Sequence, residues 1–176
     1  MMKRIVSLTL VLFALLSLCA CGADTNETQP STTAPNLSAT NTPMGYPMTY
    51  ENVTFGIGMK VDSVLDALGE AKSRVVSASC AFGGNDIVYD YRSVKISTND
   101  ENGYEVIYCI ELVDDMAQTQ KGIKIGATKE AIVAAYGDPS KTVGVNLIYE
   151  KEGMELRCLL KDGKVSSIQY ILPIAG

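Results

Sequence analysis

Five cysteines, several runs of carboxylates and no histidine define the chemistry open to this chain of 176 residues. Without His, the usual Ser/His/Asp and Cys/His pairings that activate a hydroxyl or thiol are excluded. The acidic run Asn99, Asp100, Glu101, Asn102, Gly103 invites a calcium reading. It fails the loop pattern, because placing Gly103 at the turn glycine puts Thr98 in the first ligand position and Cys109 where a bidentate Glu belongs. Asp114 and Asp115 are adjacent, and neighbours in an extended segment face opposite ways, so they do not make the paired carboxylates of a hydrolase. No Walker loop or dinucleotide glycine motif occurs. The chain is therefore expected to be no enzyme and to hold neither metal nor cofactor.

Cys158 shares one strand face with Met154, Leu156 and Leu160, which predicts a buried thiol. Cys109 falls opposite the face carrying Val106, Tyr108, Ile110 and Leu112. A disulfide between Cys80 and Cys109 is open to a chain outside the cytoplasm, although spacing supplies no distance. Cys80 belongs to the stretch Ser79, Cys80, Ala81, Phe82, Gly83, Gly84, Asn85, Asp86. The glycine pair permits positive φ, and Asn85 and Asp86 favour turns. Two readings stand for this stretch. One is a recognition loop made of Cys80, Phe82, Gly83, Gly84 and Asp86 and flanked by Tyr89 and Tyr91, since aromatics anchor interfaces. The other is a longer hairpin whose Phe82 covers the end of the core.

At the N-terminus, Lys3 and Arg4 precede an apolar run from Ile5 to Leu18. Such a charged start and apolar core make a signal peptide, and the run is shorter than the roughly 20 residues a helix needs to span hydrocarbon. It ends at Leu18, Cys19, Ala20, Cys21, Gly22, which resembles the bacterial lipobox, with an aliphatic residue three before the cysteine and a small residue before the cut. Leu18 is too large to precede a lipidated Cys19, so Cys21 is the expected lipidation site. Two acyl chains on that thiol hold a membrane stably where one holds only marginally. The chain is thus expected outside the cytoplasm, attached to a bacterial membrane by lipid on Cys21.

Removing Lys3 and Arg4 leaves 13 basic against 20 acidic residues, a formal charge of −7. Such a surface repels phosphate, so nucleic acid is not an expected partner. Residues 21–50 are rich in Ser, Thr, Asn and Pro and poor in aliphatics, which predicts a disordered tether between the signal peptide of residues 1–20 and a domain of residues 51–176.

Within that domain, Ile57, Gly58, Val64, Leu65, Leu68 and Gly69 match Ile125, Gly126, Ile132, Val133, Tyr136 and Gly137 at a constant offset of 68. Each copy has a glycine, a short amphipathic helix and a glycine placed to stop it, with Thr128 a credible N-cap in the second. Tyr89, Val94, Ile96, Val106, Ile110 and Leu112 match Tyr149, Met154, Leu156, Ser166, Tyr170 and Leu172 at an offset of 60. These segments alternate like strands, and Asn102 with Gly103 and Asp162 with Gly163 mark hairpin turns. The drop in offset places 8 extra residues in the first copy, in the interval that holds Cys80 to Asp86. The expected architecture is α+β: two tandem repeats, about 53–115 and 119–176, each a short helix plus an antiparallel β-meander, forming one sheet with the helices packed on one face.

The pattern resembles the tandem-repeat fold of the β-lactamase inhibitor protein family, whose single unit is similar to the small BamE-like outer-membrane lipoproteins. That resemblance implies protein binding through sheet face and loops rather than catalysis. The expected function is a membrane-anchored module that binds a protein or cell-envelope component. The alternative is an inhibitor or immunity protein against an envelope or secreted hydrolase.

Overall fold

The computed structural model describes residues 37–173, so the signal segment, Cys21 and most of the expected tether lie outside the described residues. A short ribbon comes first, β1 (Met48–Tyr50) and β2 (Val53–Phe55), followed by helix α1 (Asp62–Leu68). Four strands follow: β3 (Ser73–Ala78), β4 (Asn85–Asp90), β5 (Val94–Asn99) and β6 (Val106–Leu112). Helix α2 (Lys129–Tyr136) precedes β7 (Lys141–Val143), β8 (Asn146–Lys151), β9 (Met154–Lys161) and β10 (Lys164–Ile171). The last eight strands make one antiparallel sheet in the order β3-β4-β5-β6-β10-β9-β8-β7.

Local sequence explains the hairpins. Positive φ at both central residues closes three of them, at Glu51 and Asn52 (48° and 67°), Glu152 and Gly153 (49° and 80°), and Asp162 and Gly163 (53° and 75°). This is the mirror-image turn whose twist matches that of the strands it joins. Alternation then sorts side chains between two faces. Ile96, Ile110, Tyr170, Leu156 and Tyr149 stand opposite one another across five strands, and all five are buried.

The expected α+β architecture of two helix-plus-meander repeats with helices packed on one face is overturned. The described chain is mostly β, with helices of only seven and eight residues against a large antiparallel sheet and a two-stranded ribbon. The physical reason is the small apolar area that two turns of helix supply. Each helix buries one residue completely, Val64 in α1 and Ile132 in α2. The rest of the buried cover comes from ribbon and connecting segments: Met48, Phe55, Ile57, Met59, Val61, Ala117 and Ile123.

The fold also begins earlier than the expected boundary at residue 51. Leu37 is buried in a small cluster with Phe82 and Val106, and Met48 of β1 is fully buried in the main core. Burying a side chain of that size contributes about 1.5–3 kcal/mol. The polar composition of this segment hides two apolar anchors whose value appears only once the rest of the core is in place.

Candidate functional site: the open sheet face

The residues expected to form one recognition loop are not brought together. Phe82 is only 7% exposed and packs with Leu37 and Val106, its ring centroid 5.2 Å from that of Tyr108. Tyr89 and Tyr91 turn to the core side. The Tyr89 hydroxyl donates to Glu105 Oε2 at 2.7 Å, and the Tyr91 hydroxyl donates to the Gly69 carbonyl at 3.0 Å. Asp86 lies on the other side of the sheet and accepts from Asn99 Nδ2 at 3.0 Å. Cys80, Gly83 and Gly84 stay exposed.

The loop is sewn to the turn between β5 and β6. Asn99 Nδ2 donates to the Gly83 and Asn85 carbonyls at 3.0 and 3.1 Å, and the Asn85 amide donates to Asp100 Oδ1 at 2.6 Å. A β-carbon on Gly84, whose φ is 65°, would run into Asp100, which is why glycine stands there. Of the run that invited a calcium reading, Asn99 and Asp100 thus spend their side chains on this loop, and Asn102 Nδ2 donates to the Leu37 carbonyl at 3.3 Å. Among the described residues, no group of three or more His, Cys, Asp or Glu could hold a metal ion.

Helices, ribbon and connecting segments bury their apolar side chains in the main core on one side of the sheet. The opposite side carries polar residues in register. In one row Asp90, Lys95, Glu111, Gln169 and Arg157 stand directly opposite one another across five strands. In the next row Val88, Ser97, Cys109, Ile171 and Glu155 do the same. Most of these are half-buried, and beyond Val88 the same face is covered by Leu37 and Phe82, which pack on Val106 in the row of Asp86 and Asn99.

Glu155 is the most constrained member. Its side chain is 4% exposed and lies between two cations: Lys141 Nζ donates to Oε1 at 2.8 Å and Arg157 Nε donates to Oε2 at 2.6 Å. Burial by itself raises a carboxyl pKa, but the hydrogen bonds from Lys141 and Arg157 outweigh it and hold Glu155 below its ordinary value. Lys141 also pairs with Glu150 Oε1 at 2.7 Å. This cluster escapes a reading of the sequence, although the spacing of Glu155 and Arg157 on an alternating strand already places both on one face. Lys141 joins them only through the register of β7, β8 and β9.

The three cysteines Cys80, Cys109 and Cys158 are free thiols, so the Cys80–Cys109 disulfide that the sequence left open is absent. Cys109 sits at the middle of the open face. Burial, and after it the nearby charge of Glu111, pushes its pKa up to about 11, with Arg157 opposing. Cys158 is fully buried in the core and pushed up to about 12 by desolvation. Both are protonated at neutral pH, which is the wrong state for a nucleophile.

No protein-family model, curated protein or solved structure matches this chain. Among the described residues no helix is long and apolar enough to cross a membrane. Two shallow clefts lie at the rim of the core side. One of about 450 Å³ is lined by Leu65, Ala71, Lys72, Arg74, Tyr89 and Tyr91 among others. Another of about 410 Å³ lies between the turn of the β1–β2 ribbon and Arg92, Ser93 and Met116. What the open face offers is a broad, register-fixed array of both charge signs with apolar residues between them, an arrangement suited to recognition by contact.

Proposed function

We propose that the chain is an extracytoplasmic lipoprotein, anchored to a bacterial membrane by lipid on Cys21, whose domain binds a protein or other cell-envelope component through the open sheet face. The observation that carries this reading is the inequality of the two faces of the eight-stranded sheet. One is sealed by ribbon, helices and loops, and the other presents Asp90, Lys95, Glu111 and Arg157 in register. Ordered charge of this kind selects a partner by complementarity and contributes chiefly to specificity and association rate. The lipobox at Leu18 to Gly22 supports the anchor, and the formal charge of −7 after signal removal supports a lipid-dependent rather than charge-dependent hold on the membrane.

A photo-cross-linking residue placed in the host at Gln169, on the open face, is expected to yield a discrete adduct. The same residue at Ala67, exposed on α1, is expected to yield none. Equal labelling from both positions would remove the open face as the site.

A further inference from the structure

The two edges of the large sheet are unequal. The β7 edge is three residues long and begins at Lys141, whose charge is engaged by Glu150 and Glu155. Short length and an edge lysine are the ordinary protections of a sheet edge. At the other edge β3 runs for six residues, Ser-Arg-Val-Val-Ser-Ala, and all are exposed, Val75 to 59% and Val76 to 48%. Its one charge, Arg74, leans back over the Tyr89 ring and pairs with Glu105. The hairpin that carries β3 is the part of the chain the first copy lengthens, so the greater length of this edge comes from the extra residues.

The ladder fixes which backbone groups are unpaired. The Tyr91 amide donates to the Val94 carbonyl and the Asp100 amide donates to the Asn85 carbonyl, so odd-numbered residues of β4 bond to β5 and even-numbered ones to β3. With Val75 opposite Val88, the amides and carbonyls of Ser73, Val75 and Ser77 point to β4. Those of Arg74, Val76 and Ala78 point outward, and among the described residues no strand pairs with them.

We propose that β3 is a self-association edge on which a second copy of this chain adds its own β3, antiparallel, about a two-fold axis at Val75. The sequence of the strand is self-complementary in that register. Val75 opposes Val75 of the second copy and Ser73 opposes its Ser77, all on the open face. Arg74 opposes Val76, so no like charges stand directly opposite. The outward amides of Arg74 and Val76 each meet a carbonyl of the other copy. Val76, already half-exposed, loses its contact with water. The open faces of the two copies fall on the same side and become continuous. A single strand pair is a small interface, so the dimer is weak and concentration-dependent.

The full chain in detergent is the sample, and sedimentation over a range of protein concentration is the measurement. Wild type is expected to shift from monomer to dimer. Val75→Lys and Val75→Glu are each expected to dimerise several-fold more weakly, because like charges then stand opposite, and an equal mixture of the two is expected to recover the dimer. Val76→Pro removes an outward donor and is expected to be monomeric. If that variant misfolds, the Val75 pair still decides, because its side chain projects from an exposed edge. A wild type that stays monomeric at every concentration overturns the proposal, whether its edge is bare, covered by residues before 37, or taken by another protein's strand. A dimer that survives Val75→Lys unchanged overturns it as well, by placing the interface elsewhere. Loss of the Gln169 adduct bears on the open face and leaves this result untouched.

Discussion

Phe82 shows how differently a residue reads once its neighbours are known. On a glycine-bearing loop of a single copy it reads either as a recognition residue or as a cover for the end of the core. In the fold its ring closes a small core with Leu37, Val106 and Tyr108. Phe82→Ala is therefore expected to lower unfolding free energy by about 3 kcal/mol, at the lower end for a buried aromatic because the cluster is small. Urea denaturation measures this, and the folded fraction should keep its open-face cross-link. A stability change within error, with loss of the adduct, would return Phe82 to a recognition role. Cys158 went the other way. Its place on an alternating strand with Met154 and Leu156 was enough to foretell burial, because period-two patterning is a local property.

At the scale of elements, the two helices are held by different means. Thr128 caps α2, its Oγ1 accepting from the Ala131 amide at 3.3 Å with φ −82° and ψ 161°. The N-cap of α1 is Val61, which has no side chain to cap with and is fully buried instead. Thr128→Ala is expected to cost about 1 kcal/mol, and Thr128→Ser or Thr128→Asp to restore most of it, as read by thermal melts. A loss several times larger would mean that the Thr128 to Lys164 bridge, and not the cap, is what the side chain supports. The cap at Thr128 and the stops at Gly69 and Gly137 were legible because capping needs only neighbours in sequence. The bulge in β6, which parts Val106 and Tyr108 from the Ile110 and Leu112 face expected for all four, was not, since a bulge exists only relative to a partner strand.

For the whole molecule, the open face ties stability to pH through Glu155. Its pKa is held below the ordinary carboxylate value in the folded state, so the unfolded chain takes up the proton first as pH falls. The stability that Glu155 contributes is complete above the unfolded value of about 4.3 and is lost as pH drops through the lower folded value. The urea midpoint of wild type is thus expected to fall more steeply below about pH 4.3 than that of Glu155→Gln, which cannot titrate. Parallel curves would show that the cluster of Lys141, Glu155 and Arg157 is not a net source of acid sensitivity.

Sequence by itself determined the strand alternation, the tight turns at Asp162 and Gly163, the Thr128 cap and the burial of Cys158. Each depends on dihedral preference or on spacing within a few residues. Tertiary structure alone decided that the cover of the core is ribbon and loop more than helix, and that Leu37 and Met48 belong to the fold. It also decided that Phe82 is interior, that Lys141 meets Glu155, and that β3 stands at the sheet edge, its outer side unpaired among the described residues. These depend on which strands lie side by side. Burial and pairing are gained between segments far apart in the chain, so no window of sequence contains them.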